Sequence, residues 1–341
     1  MIEPILIKGA PGSPYTRKMI ALLRYQHLPY RFLIGSHDDD LGLPRPKVGL
    51  LPTLYLRDER GEVEAVVDST PLIRRLDVTL PGPRSVLPQD PAVRFIDELI
   101  EDYADEWLTK AMFHYRWHGQ SDIDHAGSIL PRWRSITASE EDIARLRARF
   151  SRRQIDRLGV VGSNEITAPV IEDSYRRFLG CLDRILSRQP FILGRRPGSA
   201  DLAVYGQLTQ LAHFDPTPRA LTLAEAPRVF AWVDVMDDLS GVDVQTDGWL
   251  PRQEIETVLE PLLTEIGRTY APVMIANARA IDQGAALAEA LVSGMPWTQT
   301  PFPYQARCLA ALRVSYARLE PGDRADLAPI LNQTGVASLF D

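Results

Sequence analysis

Strand-like patterning runs from Ile5 to Val67 and nearly vanishes afterwards, so the chain has to fold as a small sheet-bearing unit followed by a larger helical one. Pro4-Ile5-Leu6-Ile7 is a continuous apolar run closed by Gly9-Ala10-Pro11-Gly12, which reads as a buried strand and its exit turn. Tyr15, Met19, Leu22 and Leu23 then recur at helical spacing. They place Tyr15 on the core stripe and leave Arg17 and Lys18 for the solvated side. Tyr30 to Ile34 reads as a second strand, and the strand-helix-strand order requires parallel pairing through a right-handed crossover. Gly35 to Lys47 is polar and proline-broken, hence a loop. Thr53-Leu54-Tyr55-Leu56 and Val63-Glu64-Ala65-Val66-Val67 flank a turn-like Arg57 to Glu62 and make a hairpin. Asp68-Ser69-Thr70-Pro71 supplies capping residues for a last helix whose buried face is Leu72, Ile73, Leu76 and Leu80. The order is βαβ-ββα.

Pro81-Gly82-Pro83, extended through Pro88 and Pro91, is the clearest linker and bounds a first domain of residues 1–83. Ile96, Leu99, Ile100, Tyr103, Trp107 and Ala111 form one core-facing helical stripe, and Ile171 to Leu186 a cleaner one. Between them a polar loop is expected around His118 to Gly127, and a charged, solvated helix from Ser139 to Arg157. Trp232, Val233, Val235 and Met236 belong to a further helix that completes an all-helical domain of residues 92–240. Residues 241–341 read as a helical extension, with helices near Glu254 to Leu291 and Tyr304 to Leu319. The segment from Trp297 to Tyr304 is expected to be a strap that completes the core rather than a lid.

With 341 residues both domains can bury a core. Cys181 and Cys308 have no partner at metal or redox spacing, which fits a reducing, cytoplasmic setting. No apolar stretch approaches the about 18 residues of a membrane span, and Met1-Ile2-Glu3-Pro4 lacks the basic start of a secretory signal. The formal charge of −7 comes with arginines spread along the helices, so no nucleic-acid footprint is visible. Gly9 and Gly12 lack the third glycine and acidic partner of a dinucleotide fingerprint. Nothing in the chain matches a phosphate-cradling loop or a nucleophile elbow.

A unit of this order beginning Gly-x-x-Gly-Ser-Pro-Tyr-Thr-Arg-Lys, with Leu50-Leu51-Pro52-Thr53-Leu54 before the hairpin and Asp68-Ser69 after it, resembles the thioredoxin-like half of glutathione transferases. The helical remainder, with Leu193-Gly194 and Ser199-Ala200-Asp201-Leu202, resembles their second domain, and the resemblance runs from Ile5 to about Leu239. It implies an α/β thioredoxin-like N-terminal domain followed by a larger all-α domain, and a cytoplasmic homodimer of the detoxifying kind. It also implies that Ser13 meets the glutathione sulfur, that Pro52 is cis and exposes the backbone of Leu51 to the cysteinyl part, and that Asp68-Ser69 holds the γ-glutamyl end. Leu50 stands where many members carry a lysine or glutamine, and Lys47, Arg45 or His37 are the candidates to replace that contact. At the second-domain cap the usual threonine or serine is Gly198, with Asp201 placed to reach back to the Gly198 amide.

The expected activity is therefore transfer of the glutathione thiolate to a small apolar electrophile. The catalytic candidate is Ser13, glutathione is the co-substrate, and its contacts are Tyr15, Leu51, Pro52, Asp68, Ser69 and Lys47. The first domain has no cysteine, so exchange through a protein thiol is not expected. Tyr103, Trp107, His114 and Trp117 are candidates for the electrophile pocket, because the helix that carries them borders it in the family. Each residue also has a plainer reading. Ser13-Pro14 and Asp68-Ser69 are ordinary caps, and the aromatic residues ordinary interhelical packing. His114 and His118 stand at i, i+4 with Asp122, Asp124 and His125 beyond, but no glutamate lies between the histidines, and no metal is expected. The alternative function is a non-catalytic relative that uses this fold to bind a partner or small ligand.

Overall fold

The computed structural model describes residues 3–35, 37 and 41–341. Strand β1 (Ile5–Gly9), helix α1 (Pro14–Tyr25), strands β2 (Tyr30–Ile34), β3 (Thr53–Arg57) and β4 (Val63–Val67), and helix α2 (Ser69–Thr79) build the first domain. Its sheet runs β2-β1-β3-β4, with β2 parallel to β1 and the other two pairings antiparallel. The parallel pair follows from the α1 crossover, and the antiparallel pair from the short connection across Gly61. Ile7 faces Phe32 on one side and Leu54 on the other, and Met19, Leu22 and Leu23 of α1 are fully buried. Part of the loop expected between Gly35 and Lys47, namely Ser36 and Asp38 to Asp40, lies outside the described residues; from Leu41 to Leu50 the backbone is irregular.

Helix α3 (Pro91–Tyr103) passes through a π-helical turn (Ala104–Leu108) into α4 (Thr109–His118). The polar loop expected from His118 to Gly127 is instead part of helix α5 (Gln120–Arg134). Its buried face carries Asp122, Ala126, Gly127 and Pro131, so it shows no apolar stripe to read. Helix α6 (Glu140–Ile155) is the solvated helix expected, with only Ile143 and Ser151 buried. Helices α7 (Ala168–Leu186), α8 (Ser199–Leu208), α9 (Pro216–Glu225) and α10 (Pro227–Asp237) complete the second domain.

Every residue of α8 is buried, so its N-terminal amides need partners inside the protein. Asp201 accepts from the amides of Gly198 at 2.9 Å and Ile192 at 2.8 Å, and Asp97 accepts from Ala200 at 2.9 Å. Thus Gly198 serves as the cap, as expected. Burial pushes the Asp97 carboxyl up to about 8 despite its bonds from Ser199 and Ala200. Helix α8 lies directly on α1: a side chain at Gly206 would strike the Pro14 carbonyl.

The extension holds α11 (Ile255–Glu265), a further π-helical turn (Ile266–Tyr270), and α12 (Ala271–Gln283). The helix expected to continue to Leu291 stops at Gly284, which is left-handed at φ 62°. A β-hairpin follows, β5 (Ala288–Val292) against β6 (Met295–Gln299), which the sequence reading missed. Ser293 and Gly294 turn it with φ of 54° and 78°, the two positive values of a type I′ turn. Helices α13 (Pro303–Arg318) and α14 (Pro321–Thr334) end the chain. Trp297 is buried against Trp107, ring centroids 5.2 Å apart, so this part of the segment does complete the core. No described helix is long and apolar enough to cross a membrane.

Candidate functional site at the domain junction

Ser13 is the N-cap of α1: its Oγ accepts from the Thr16 amide at 3.2 Å, and Pro14 occupies the first helical position. The same oxygen lies 3.5 Å from the Leu51 carbonyl, the residue whose bond to Pro52 is cis. The helix end, the Ser13 hydroxyl and the backbone at Leu51 therefore share one small region, as the resemblance implied. The turn before Ser13 is clamped from the second domain. Arg116 donates to the Gly12 carbonyl at 3.1 Å and Gln210 to that of Pro11 at 3.2 Å. Arg116 is itself held by Asp215 at 2.8 Å, with both side chains out of solvent. Leu130 and Trp133 of α5 lie against Gly12, where an added Cβ would meet them.

Asp68 sits at the N-cap of α2 with φ 81°, a left-handed conformation that costs a non-glycine residue on the order of 1–3 kcal/mol. Contrary to the capping expectation, its side chain makes no bond to the α2 amides. Its carboxylate instead accepts the Tyr304 hydroxyl of α13 at 2.8 Å. Ser69 opens the helix and is buried. So the end of the segment read as a strap reaches across to the first domain.

Behind Asp68 lies a buried ionic cluster. Lys18, expected on the solvated side, is wholly buried, with its Nζ 2.6 Å from both Glu101 and Asp105. Thr70 donates to Glu101 at 2.9 Å, and Arg74 pairs with Glu101 at 3.1 Å. Against burial, which alone would raise it, Lys18 and Arg74 hold the Glu101 carboxyl down at about 2. Burial and the neighbouring Glu101 push Asp105 up to about 6 in spite of Lys18. Burial likewise raises Asp102, which accepts the Tyr270 hydroxyl at 2.5 Å, to about 7. Tyr15 donates to the Asp105 carbonyl at 2.8 Å, so its ring bridges the two domains rather than continuing the α1 core stripe.

The remaining candidates are placed as follows. Lys47 and Leu50 are exposed on the irregular loop, Leu51 is half-buried and Pro52 buried. His37 bonds to Thr53 at 2.8 Å. Tyr103 packs in the core on Phe178 and Tyr270, and Trp107 donates to Ser174 at 2.7 Å. Trp117 packs on Phe113 and Phe150. His114 bonds to Ser163 at 2.7 Å and borders a separate hollow of about 340 Å³ with His118, Asp122 and Glu172. These four side chains do not converge on one cavity. Among the described residues no three His, Cys, Asp or Glu side chains form a group able to hold a metal ion. Cys308, one turn beyond Tyr304, has its thiol pushed far up by burial and by Glu106 and Asp102.

Residues 8–84 match the model of the glutathione S-transferase N-terminal domain, and residues 140–234 that of the glutathione S-transferase C-terminal domain. Solved structures similar to the chain include a glutathione transferase family member from Pseudomonas fluorescens pf-5 with two glutathione bound, at 15% identity and a TM-score of 0.44, covering 69% of this chain and 93% of that one. A Tau class glutathione S-transferase from mango, Mangifera indica, is 19% identical with a TM-score of 0.41, covering 68% and 88%. A glutathione S-transferase from Methylobacterium radiotolerans in complex with glutathione sulfonate is 20% identical with a TM-score of 0.41, covering 73% and 95%. None of the curated proteins matches the chain. With both domain models matched in order on a thioredoxin-like sheet and a helical second domain, the chain belongs to the glutathione transferase superfamily.

Proposed function

We propose that the protein is a glutathione transferase-like enzyme that moves the glutathione thiolate onto a small apolar electrophile. The observation that carries this reading is the Ser13 hydroxyl at the open end of α1, beside the Leu51 backbone. Its oxygen already accepts the Thr16 amide, while its hydrogen has only the Leu51 carbonyl at 3.5 Å, a weak contact that a sulfur anion would displace at little cost. A free thiol has a pKa of about 8.5, and each unit of lowering needs about 1.4 kcal/mol. A helix N-terminus supplies about 0.3–2 kcal/mol toward an anion, and a hydroxyl donating to a charge about 1.5–3. Together they suffice to keep bound glutathione largely as thiolate at neutral pH. The thiol proton leaves to solvent, the sulfur forms a bond to the electrophilic carbon, and the displaced group departs with its electron pair.

Leu51 would receive the cysteinyl backbone, Asp68 and Ser69 the γ-glutamyl end, and Lys47 the glycine carboxylate. Leu130 and Trp133, which flank the turn before Ser13, are better placed as walls of the apolar second site than Tyr103, Trp107, His114 or Trp117. Membership of the family makes a cytoplasmic homodimer the expected assembly. The exposed Leu41, Val48 and Leu50 beside the site favour the alternative, a partner-binding relative without turnover. A thermal shift separates the two together with a turnover assay on a generic aryl halide. The enzyme reading requires stabilisation by millimolar glutathione, about 2.7 kcal/mol at a hundred-fold excess over Kd, and measurable conjugation. A shift without conjugation supports the binding relative, and no shift removes glutathione from the site.

A further inference from the structure

Ala10, Pro11 and Gly12 carry no polar side chain, so the turn that leads into Ser13 is fixed through its carbonyls. The Ala10 carbonyl takes the Ser13 amide at 3.0 Å. The other two are held from outside the turn. Gln210 and Arg17 donate to the Pro11 carbonyl at 3.2 and 3.1 Å, and Arg116 Nη1 donates to that of Gly12 at 3.1 Å. Arg116 also directs Gln210: its Nη2 donates to Gln210 Oε1 at 2.7 Å, which leaves the amide nitrogen for Pro11. Gln210 belongs to a π-helical turn after α8 (Thr209–Phe214), and the Phe214 ring of that turn lies 4.9 Å from the Arg116 guanidinium and 4.8 Å from Trp133. Asp215 stands at the N-cap of α9 yet makes no bond to its amides. Asp122 of α5 takes that task, accepting from the Thr217 amide at 2.9 Å, and both Asp215 oxygens go to Arg116 at 2.9 and 2.8 Å. Arg116, Gln210 and Asp215 are all buried. An ion pair so enclosed adds little net stability, whereas the planar fork of a guanidinium fixes direction well.

We propose that Arg116 is a positioning residue for the Ser13 hydroxyl: fixed by Asp215 and steering Gln210, it holds the turn from the second domain so that the hydroxyl points at the glutathione sulfur. This rests on the thiolate reading above and deepens it, because it makes activation of the sulfur depend on how the two domains dock. Arg116 acts through the Gly12 carbonyl, one peptide before Ser13, and not on the sulfur itself. Ser13 has extended backbone, φ −98° and ψ 117°, so the plane of the Gly12–Ser13 peptide sets the angle at which its side chain leaves the chain. A misplacement of about 1 Å at a reacting group is worth up to about a hundred-fold in rate. A lysine in place of Arg116 keeps a charge beside Asp215, but a single ammonium cannot hold Asp215, Gln210 and Gly12 in one plane. Asp122 and His125 of α5 are the other titratable groups that bear on Asp215, and both stay in every variant used below.

The test is the thiolate absorbance of glutathione bound to the full chain, followed through a pH titration, with conjugation of an aryl halide measured at saturating glutathione at about pH 6 and about pH 9.5. In the wild type the bound thiol should titrate below its free value of about 8.5. R116K should raise that bound value by about one unit and so cost about ten-fold in conjugation at the lower pH. At the higher pH the thiol is ionised in both proteins, and the difference should close. Q210M is neutral and leaves Arg116 on Gly12; it should shift the thiol by about half a unit, or about three-fold in rate, and it decides the matter where R116K does not fold. Calorimetric binding of S-methylglutathione, which has no thiol to ionise, should stay within about two-fold of wild type in both variants. Folded variants with the wild-type thiol value, or a rate loss equal at both pH values, overturn the proposal and leave the thiolate reading standing. Loss of S-methylglutathione binding in the variants marks a structural role alone and overturns it as well. A wild type whose bound thiol titrates at about 8.5 removes both readings.

Discussion

Replacing Lys18 with methionine keeps most of the side-chain volume on α1 and removes the one charge that touches both Glu101 and Asp105. Each 2.6 Å contact carries about 6 kcal/mol of Coulomb attraction at an effective dielectric constant of about 20, most of it offset by desolvation. Taking away one member of such a buried group costs about 3–5 kcal/mol, because the remaining charges are stranded. The loss should also depend on pH. In the wild type Glu101 is held at about 2, so its contribution is complete above its ordinary value of 4.5 and fades only as pH falls toward 2. In the variant Arg74 remains near Glu101, but the carboxylates repel with no Lys18 between them, so Glu101 rises from its depressed value and Asp105 climbs above the about 6 it already has. That penalty is full at pH 7 and relieved by protonation as the pH drops. Urea unfolding followed by tryptophan fluorescence at pH 7 and pH 5 should therefore show a difference from wild type of about 3–5 kcal/mol that narrows by about 1–2 kcal/mol at the lower pH. A loss under about 1 kcal/mol, or one identical at both pH values, would refute the account of a mutually dependent cluster.

Three further variants bear on the site. Ser13→Ala should lower conjugation by about ten- to a hundred-fold, the equivalent of one bond to a charged sulfur, and diminish the thiolate absorbance of bound glutathione. Ser13→Gly should lose the same activity but only a few tenths of a kcal/mol of stability, since glycine is tolerated as a cap; retained activity in the glycine variant would return Ser13 to a purely capping role. Trp133→Ala should raise KM for an apolar electrophile about ten-fold and leave KM for glutathione unchanged, as removal of an apolar wall predicts. A shift in both constants would place Trp133 outside the second site.

The βαβ-ββα order was legible because its strands are short apolar runs bounded by glycine, proline or aspartate, and the solvated face of α6 because its charges are dense. The helix cap at Ser13, the cis bond before Pro52 and the place of Asp68 at the start of α2 were legible through the spacing of a known pattern. What failed shares a cause: polar or small residues where a core face would be apolar. Helix α5 buries Asp122 and Gly127, so its period is masked. Lys18 was assigned to solvent because a lysine is seldom buried, yet it stands directly before Met19 and four residues before Leu22, side chains that are buried. The β5–β6 hairpin did carry a signal, Ser293-Gly294 between alternating residues, outweighed by the helical pattern before it. Tyr304 is distant in sequence from Asp68, and no local pattern joins them.

The bond between Asp68 and Tyr304 spans 236 residues of chain. At about 5–20 residues per second of synthesis, on the order of ten to fifty seconds separate the two ends on the ribosome. During that interval the sheet of the first domain can form while Asp68 still lacks the hydroxyl that holds it. The nascent protein can therefore have its thioredoxin-like domain long before it has the contact that ties that domain to α13. The Asp68–Tyr304 bond is thus among the last long-range contacts the growing chain can make.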